Sequence, residues 1–113
     1  MVMGDELITW LQNWYAAQCD GDWEHSYGVE IGTIDNPGWY VVISLVGTPL
    51  EGATFQPVDE SARSEDDWID CRVVEEHPHR DGFRGPYLSG AGGSHNLSEI
   101  LYVFREWVIQ QQN

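Results

Sequence analysis

Two stretches at opposite ends of this chain space their apolar residues at helical intervals, while the apolar residues between them alternate. Near the start, Leu7, Trp10, Leu11, Trp14 and Tyr15 form an i, i+3, i+4, i+7, i+8 stripe, which predicts an amphipathic helix over residues 5–18. Asp5 is placed to cap it, and Gly21 in Cys19-Asp20-Gly21-Asp22 can take the positive φ that stops it. Near the end, Leu97, Ile100, Leu101, Phe104, Trp107 and Val108 form a second stripe. Asn96 followed by Glu99 resembles a capping box at its start.

Between the stripes the period is two. Tyr27, Val29, Ile31 and Thr33 alternate with Gly28, Glu30, Gly32 and Ile34, as in a strand with one buried face. Asn36-Pro37-Gly38 suits a type II turn. Residues 39–46 are apolar on both faces and predict a central strand, antiparallel to the first. Residues 54–58 predict a weaker strand, held to an edge by Pro57. From Trp68 to Val74, Ile69, Cys71 and Val73 face inward and Asp70 and Arg72 outward. Residues 75–93 are polar and rich in Gly and Pro, and read as a long loop. Helices segregated from an antiparallel sheet make an α+β, two-layer domain. The expectation is about four strands with the N-terminal and C-terminal helices packed on one face. A chain of 113 residues buries about two-thirds of its surface on folding, enough for one core, so residues 1–113 read as a single domain.

The charge balance excludes several function classes. Nineteen acids stand against five bases, all Arg, for a formal net charge of −14. Nucleic-acid binding needs cations to displace counterions, and an anionic membrane surface attracts basic segments. Neither is expected here. A cationic partner, or solubility alone, fits this charge. The N-terminus has no basic region followed by an apolar one, and the longest apolar runs are far too short to span a bilayer. The chain is expected to be cytoplasmic, monomeric when free, and to keep Cys19 and Cys71 reduced. The absence of Cys-x-x-Cys argues against a zinc ribbon or a thioredoxin-type site.

Candidate sites divide into weak and informative ones. Gly90-Ala91-Gly92-Gly93 opens a helix as an anion cradle would, but without the Lys of a phosphate loop it reads as structural. His77-Pro78-His79 beside Glu75 and Glu76 looks like a metal set, yet reads as a solvated loop. Asp20-Gly21-Asp22 lacks the spacing of a calcium loop, and no Gly-x-Ser-x-Gly elbow is present. No cofactor, metal or catalytic residue is therefore expected. The informative feature is acidic. Asp20, Asp22 and Glu24 surround Trp23, and Glu60, Glu65, Asp66, Asp67 and Asp70 crowd the approach to the later strand around Trp68. Carboxylates around aromatic anchors suit the capture of a basic protein; the bland reading is a solvated face over two core tryptophans.

The chain also resembles a known family. The residues that carry the likeness are Trp10-Leu11-Gln12-Asn13-Trp14-Tyr15, then Cys19-Asp20-Gly21-Asp22-Trp23-Glu24-His25-Ser26-Tyr27-Gly28. Thr33-Ile34-Asp35-Asn36-Pro37-Gly38-Trp39 and Ser64-Glu65-Asp66-Asp67-Trp68-Ile69 follow, then the glycine run, Asn96-Leu97, Ile100-Leu101 and Phe104-Arg105-Glu106-Trp107. In this order they resemble the immunity protein 53 family. That resemblance implies a bacterial immunity protein of a polymorphic toxin system. Such a protein is not an enzyme and blocks a cognate toxin domain encoded next to it by binding it. Charge adds that the toxin domain would be basic, and that Asp20, Asp22, Trp23, Glu24, Glu65, Asp66, Asp67 and Asp70 would form the toxin-binding set. The alternative is a small-ligand or metal-dependent enzyme using His25 and the neighbouring Asp and Glu residues.

Overall fold

The computed structural model describes residues 3–60 and 62–112. The chain runs α1 (Met3–Gln18), a short 3-10 turn (Trp23–His25), β1 (Val29–Ile34), β2 (Gly38–Ser44), β3 (Val58–Asp59), β4 (Ile69–Glu76), β5 (Arg84–Gly92) and α2 (Leu97–Gln111). The strands form one antiparallel sheet in the order β1-β2-β5-β4-β3. The α+β expectation holds, with five strands instead of about four.

Both helices lay their stripes on one sheet face. Leu7, Leu11 and Trp14 of α1 join Ile100, Leu101, Phe104, Trp107 and Val108 of α2 over Val41, Ile43, Ile69, Cys71 and Leu88. Phe104 is the pivot: Trp14 meets it edge-on at 4.9 Å and the partly buried Trp10 at 5.8 Å. Such aromatic pairs add about 0.5–1.5 kcal/mol each beyond area burial. Tyr15 departs from the expected stripe and is exposed, its ring tilted against Trp23 at 5.9 Å.

The helix ends differ in detail from expectation. α1 begins at Met3, ahead of the expected cap Asp5, whose side chain lies outside the described residues. Asn96 precedes α2, but its side chain makes no cap hydrogen bond. Its amide nitrogen instead donates to Asp67 and Glu99, at 2.9 and 3.1 Å. The two carboxylates compete for the amide that a capping box would have left free. The turn after β1 is not type II either. The Asn36–Pro37 peptide is cis, and Gly38 has no positive φ and opens β2.

The largest correction is β5. The stretch read as a polar loop contains the sheet's central strand, hydrogen-bonded to β2 on one side and β4 on the other. Its glycines carry little strand propensity, but α2 packs against Gly90 and Gly92. A Cβ at Gly90 would stand 2.6 Å from Ile100 Cγ2, so only glycine lets the helix lie this close. Residues 90–92 of the glycine run are therefore strand. The predicted strand over 54–58 shrinks to β3, an edge strand as Pro57 implied.

Candidate partner-binding surface

The loop from α1 into β1 is organised by two carboxylates that turn back on their own backbone. The N–H groups of Asp22 and Trp23 both donate to Asp20 Oδ1 at 2.9 Å. Those of Asp20 and Gly21 donate to the two Glu24 oxygens, at 3.0 and 2.9 Å. Gly21, at φ +92°, supplies the bend. Amide donors aimed at an ionised carboxylate stabilise its charge. For Asp20 the N–H groups of Trp23 and then Asp22 hold its pKa below the ordinary carboxylate range. Glu24 is lowered in the same way, by its own and neighbouring N–H groups with a smaller contribution from His25. Trp23 fastens the loop from within. It is only 6 % exposed, and its indole N–H donates to Val46 C=O at 2.7 Å. Among the expected contact residues here, Trp23 is thus the internal anchor, while Asp20 and Asp22 lie at the surface and Glu24 is half-buried.

This loop borders a cleft on the sheet face opposite the helices. About 250 Å³ of space lies between Glu24, His25 and Tyr27 on one side and His77, Arg80 and Phe83 on the other, with Glu30, Ser44 and Tyr87 on its floor. The far wall is the connection after β4, which folds back over the sheet. His77 is 9 % exposed, so the solvated-loop expectation fails there. The physical reason lies beneath it: Val42 and Tyr87 are apolar residues on this face and need cover. The His79 N–H donates to His77 Nδ1 at 3.0 Å. That bond needs a bare ring nitrogen, so in the neutral ring the proton sits on Nε2, 3.4 Å from Glu30 Oε1. Arg80 Nη2 reaches the same oxygen at 3.0 Å. His77 packs edge-on to Tyr87 at 5.2 Å and His79 to Tyr40 at 4.6 Å. Phe83 stands at the mouth, 51 % exposed. Sequence reasoning missed Glu30, Arg80, Phe83 and Tyr87 as neighbours. The one signal available, His77-Pro78-His79, marked the right loop for the wrong reason.

The second acidic cluster is built differently. Arg63 bridges Glu60, Asp67 and Glu99, with nearest contacts of 3.3, 2.7 and 2.8 Å. Asp70 pairs with Arg72. Asp67 is held below the usual carboxylate range by the Asn96 amide first and Arg63 second, and Glu99 by Arg63 first. Glu65 and Asp66 are exposed, and Trp68 is half-buried. The sheet register puts the two clusters apart. The loop at 20–24 enters β1 at Val29, opposite Ile43 near the end of β2. The segment at 60–68 enters β4 at Ile69, opposite Gly92, which faces Trp39 at the start of β2. The structure thus joins Asp20, Asp22, Trp23 and Glu24 in one loop and Glu65, Asp66, Asp67 and Asp70 in another, at opposite ends of the sheet.

Cys19 is half-buried at the start of the acidic loop, and Cys71 is buried in the core. Both are free thiols, and burial pushes the Cys71 thiol up to about 12. Among the described residues no group of three or more His, Cys, Asp or Glu could hold a metal ion, and no helix is long and apolar enough to cross a membrane.

Comparison with known proteins returns one finding. The family model for Immunity protein 53 matches residues 8–109 of the 113. No curated protein and no solved structure matches the chain.

Proposed function

The chain belongs to the immunity protein 53 family, and from that premise we propose that it neutralises a toxin domain encoded beside its own gene by binding it, without catalysis, in the cytoplasm. The observation that carries the surface assignment is the loop at 20–24. Asp20 and Glu24 are held by backbone N–H groups, and among the described residues no Arg pairs with the loop's carboxylates, so their negative charge stays available to a partner. Asp20, Asp22 and Glu24 present that charge beside a cleft walled by Tyr27 and Phe83, and Trp23 keeps the loop in shape. Glu65, Asp66, Asp67 and Asp70 add long-range attraction from the other end of the sheet. The partner is a basic toxin domain. Complementary charge raises its rate of encounter, and desolvated aromatic contacts lengthen its stay.

The test is co-expression of the chain with that toxin domain, followed by stopped-flow association across an ionic-strength series. Protection in cells, a complex of fixed stoichiometry and association slowed at least about tenfold by salt support the reading. Failure to protect, or failure to form a complex, overturns it. Association that ignores salt removes the acidic loop from the mechanism and leaves the binding to neutral surface.

A further inference from the structure

The two edges of the sheet are not alike. The β3 edge is two residues long and follows Pro57. The β1 edge is six residues long, contains no Pro or Lys, and pairs with β2 in an unbroken register from Val29↔Ile43 to Ile34↔Gly38. Exposed edges are commonly blunted by Lys, Pro, bulges or a covering segment, because their unpaired backbone groups are templates for another strand. Among the described residues no Lys, Pro, bulge or covering segment guards β1. Its only charged residue, Glu30, is drawn onto the cleft face by Arg80 and His77.

The phase of the outward groups can be read off. The Ser44 N–H donates to Gly28 C=O at 3.0 Å, which makes Gly28 and Ser44 a hydrogen-bonded pair. Such pairs recur every second residue in an antiparallel ladder. Glu30, Gly32 and Ile34 therefore turn their backbone groups toward β2, and Val29, Ile31 and Thr33 turn theirs outward. Ile31 also leaves its side chain 40 % exposed, on the face that carries the helices.

We propose that β1 receives an extended, cationic segment of the cognate toxin domain as a sixth strand of the sheet. This rests on the toxin-binding reading and specifies how binding occurs. Charge selects the occupant. Residues 1–62 contain no Lys or Arg, and β1 lies inside that stretch, with Asp20, Asp22 and Glu24 before it and Asp35 after it. A second copy would bring its own charge of −14 against the same surface. Added strands take affinity from main-chain hydrogen bonds and specificity from alternate side chains. The incoming segment therefore sets apolar residues on the Ile31 side and its Lys or Arg toward Asp35 and the loop at 20–24, since Glu30 is already paired with Arg80.

The experiment is residue-resolved amide hydrogen exchange on the full chain, free and in complex with the toxin domain. The amides of Val29, Ile31 and Thr33 should exchange quickly in the free protein and about tenfold or more slowly in the complex, while those of Glu30, Gly32 and Ile34 are protected in both. Thr33→Pro removes one outward N–H at an edge position where proline is tolerated, and should speed dissociation about five- to tenfold. If that variant does not fold, the exchange pattern of the unaltered chain decides. A complex that leaves the three amides unprotected overturns the sixth strand and leaves toxin binding standing. No complex at all overturns both. Protection that appears without toxin and rises with protein concentration identifies a second copy as the occupant and overturns the proposal.

Discussion

The acidic loop at 20–24 and the acidic segment at 60–70 look alike in composition and are satisfied in different ways. In the first, backbone dipoles stabilise Asp20 and Glu24 without cancelling their charge. In the second, Arg63 supplies a counter-charge to Glu60, Asp67 and Glu99, and Arg72 supplies one to Asp70. A carboxylate satisfied by N–H groups still projects a field; one paired with a guanidinium projects little. Counting acids along a sequence therefore overstates the second region, where two arginines offset part of the charge, and counts the first as it stands.

The sharpest way to break this contrast is to remove the anchor of the first region. Trp23→Ala should destabilise the fold by about 3–5 kcal/mol, as truncations of buried aromatics do. The loss would appear as a clear fall in melting temperature and as fast exchange of the Asp22 and Trp23 amides. An unchanged melting temperature would show that the loop holds itself by its carboxylates alone.

Charge reversal probes the two regions against each other. Asp22→Lys and Asp67→Lys change net charge equally, both side chains are exposed, and only Asp67 is paired with an arginine. The loop variant should slow association with the toxin domain several-fold more at low salt, measured by stopped flow. Equal slowing would mean that only total charge matters.

Removing Arg63 should convert the second region toward the first. In Arg63→Gln, Glu99 should titrate closer to the ordinary range, because Arg63 is the main cause of its lowered value, while Asp20 and Glu24 stay where they are. Carboxyl NMR titration checks this residue by residue. Any movement of Asp20 would contradict the separation of the two regions.

The acid limb of stability gives the smallest signal. Asp20, Glu24, Asp67 and Glu99 all have folded-state values below their ordinary ones. Their contributions are therefore fully present above the unfolded carboxylate range near pH 4, and are lost as pH falls through the lowered values. The melting temperature should drop across that window. Arg63→Gln should flatten part of the drop, and a profile identical to that of the unaltered chain would show that the Arg63 pairs add nothing measurable, as for many exposed ion pairs.

The local sequence was informative wherever one face of an element had to be apolar. Leu7, Leu11 and Trp14, and Ile100 through Val108, announce their helices because a 3.6-residue period has no other use. Ile69 and Cys71 announce β4 by alternation. The type II turn at Pro37 and the capping box at Asn96 were misread because short motifs admit several geometries. In the second case the neighbours Asp67 and Glu99 decided which was used. The cleft was illegible because its members come from β1, the 3-10 turn and the connection after β4.

Family membership, the two helices, the alternating strands and the large negative charge were thus determined by residues read one segment at a time. Tertiary structure alone decided three things. It made Arg84–Gly92 the central strand, because α2 packs so close that glycine outweighs propensity. It folded His77 over the second sheet face, because Val42 and Tyr87 needed cover. And it divided the acids between backbone donors at one end of the sheet and arginines at the other, because the partner of a charge is set by distance in space and not by position in the chain.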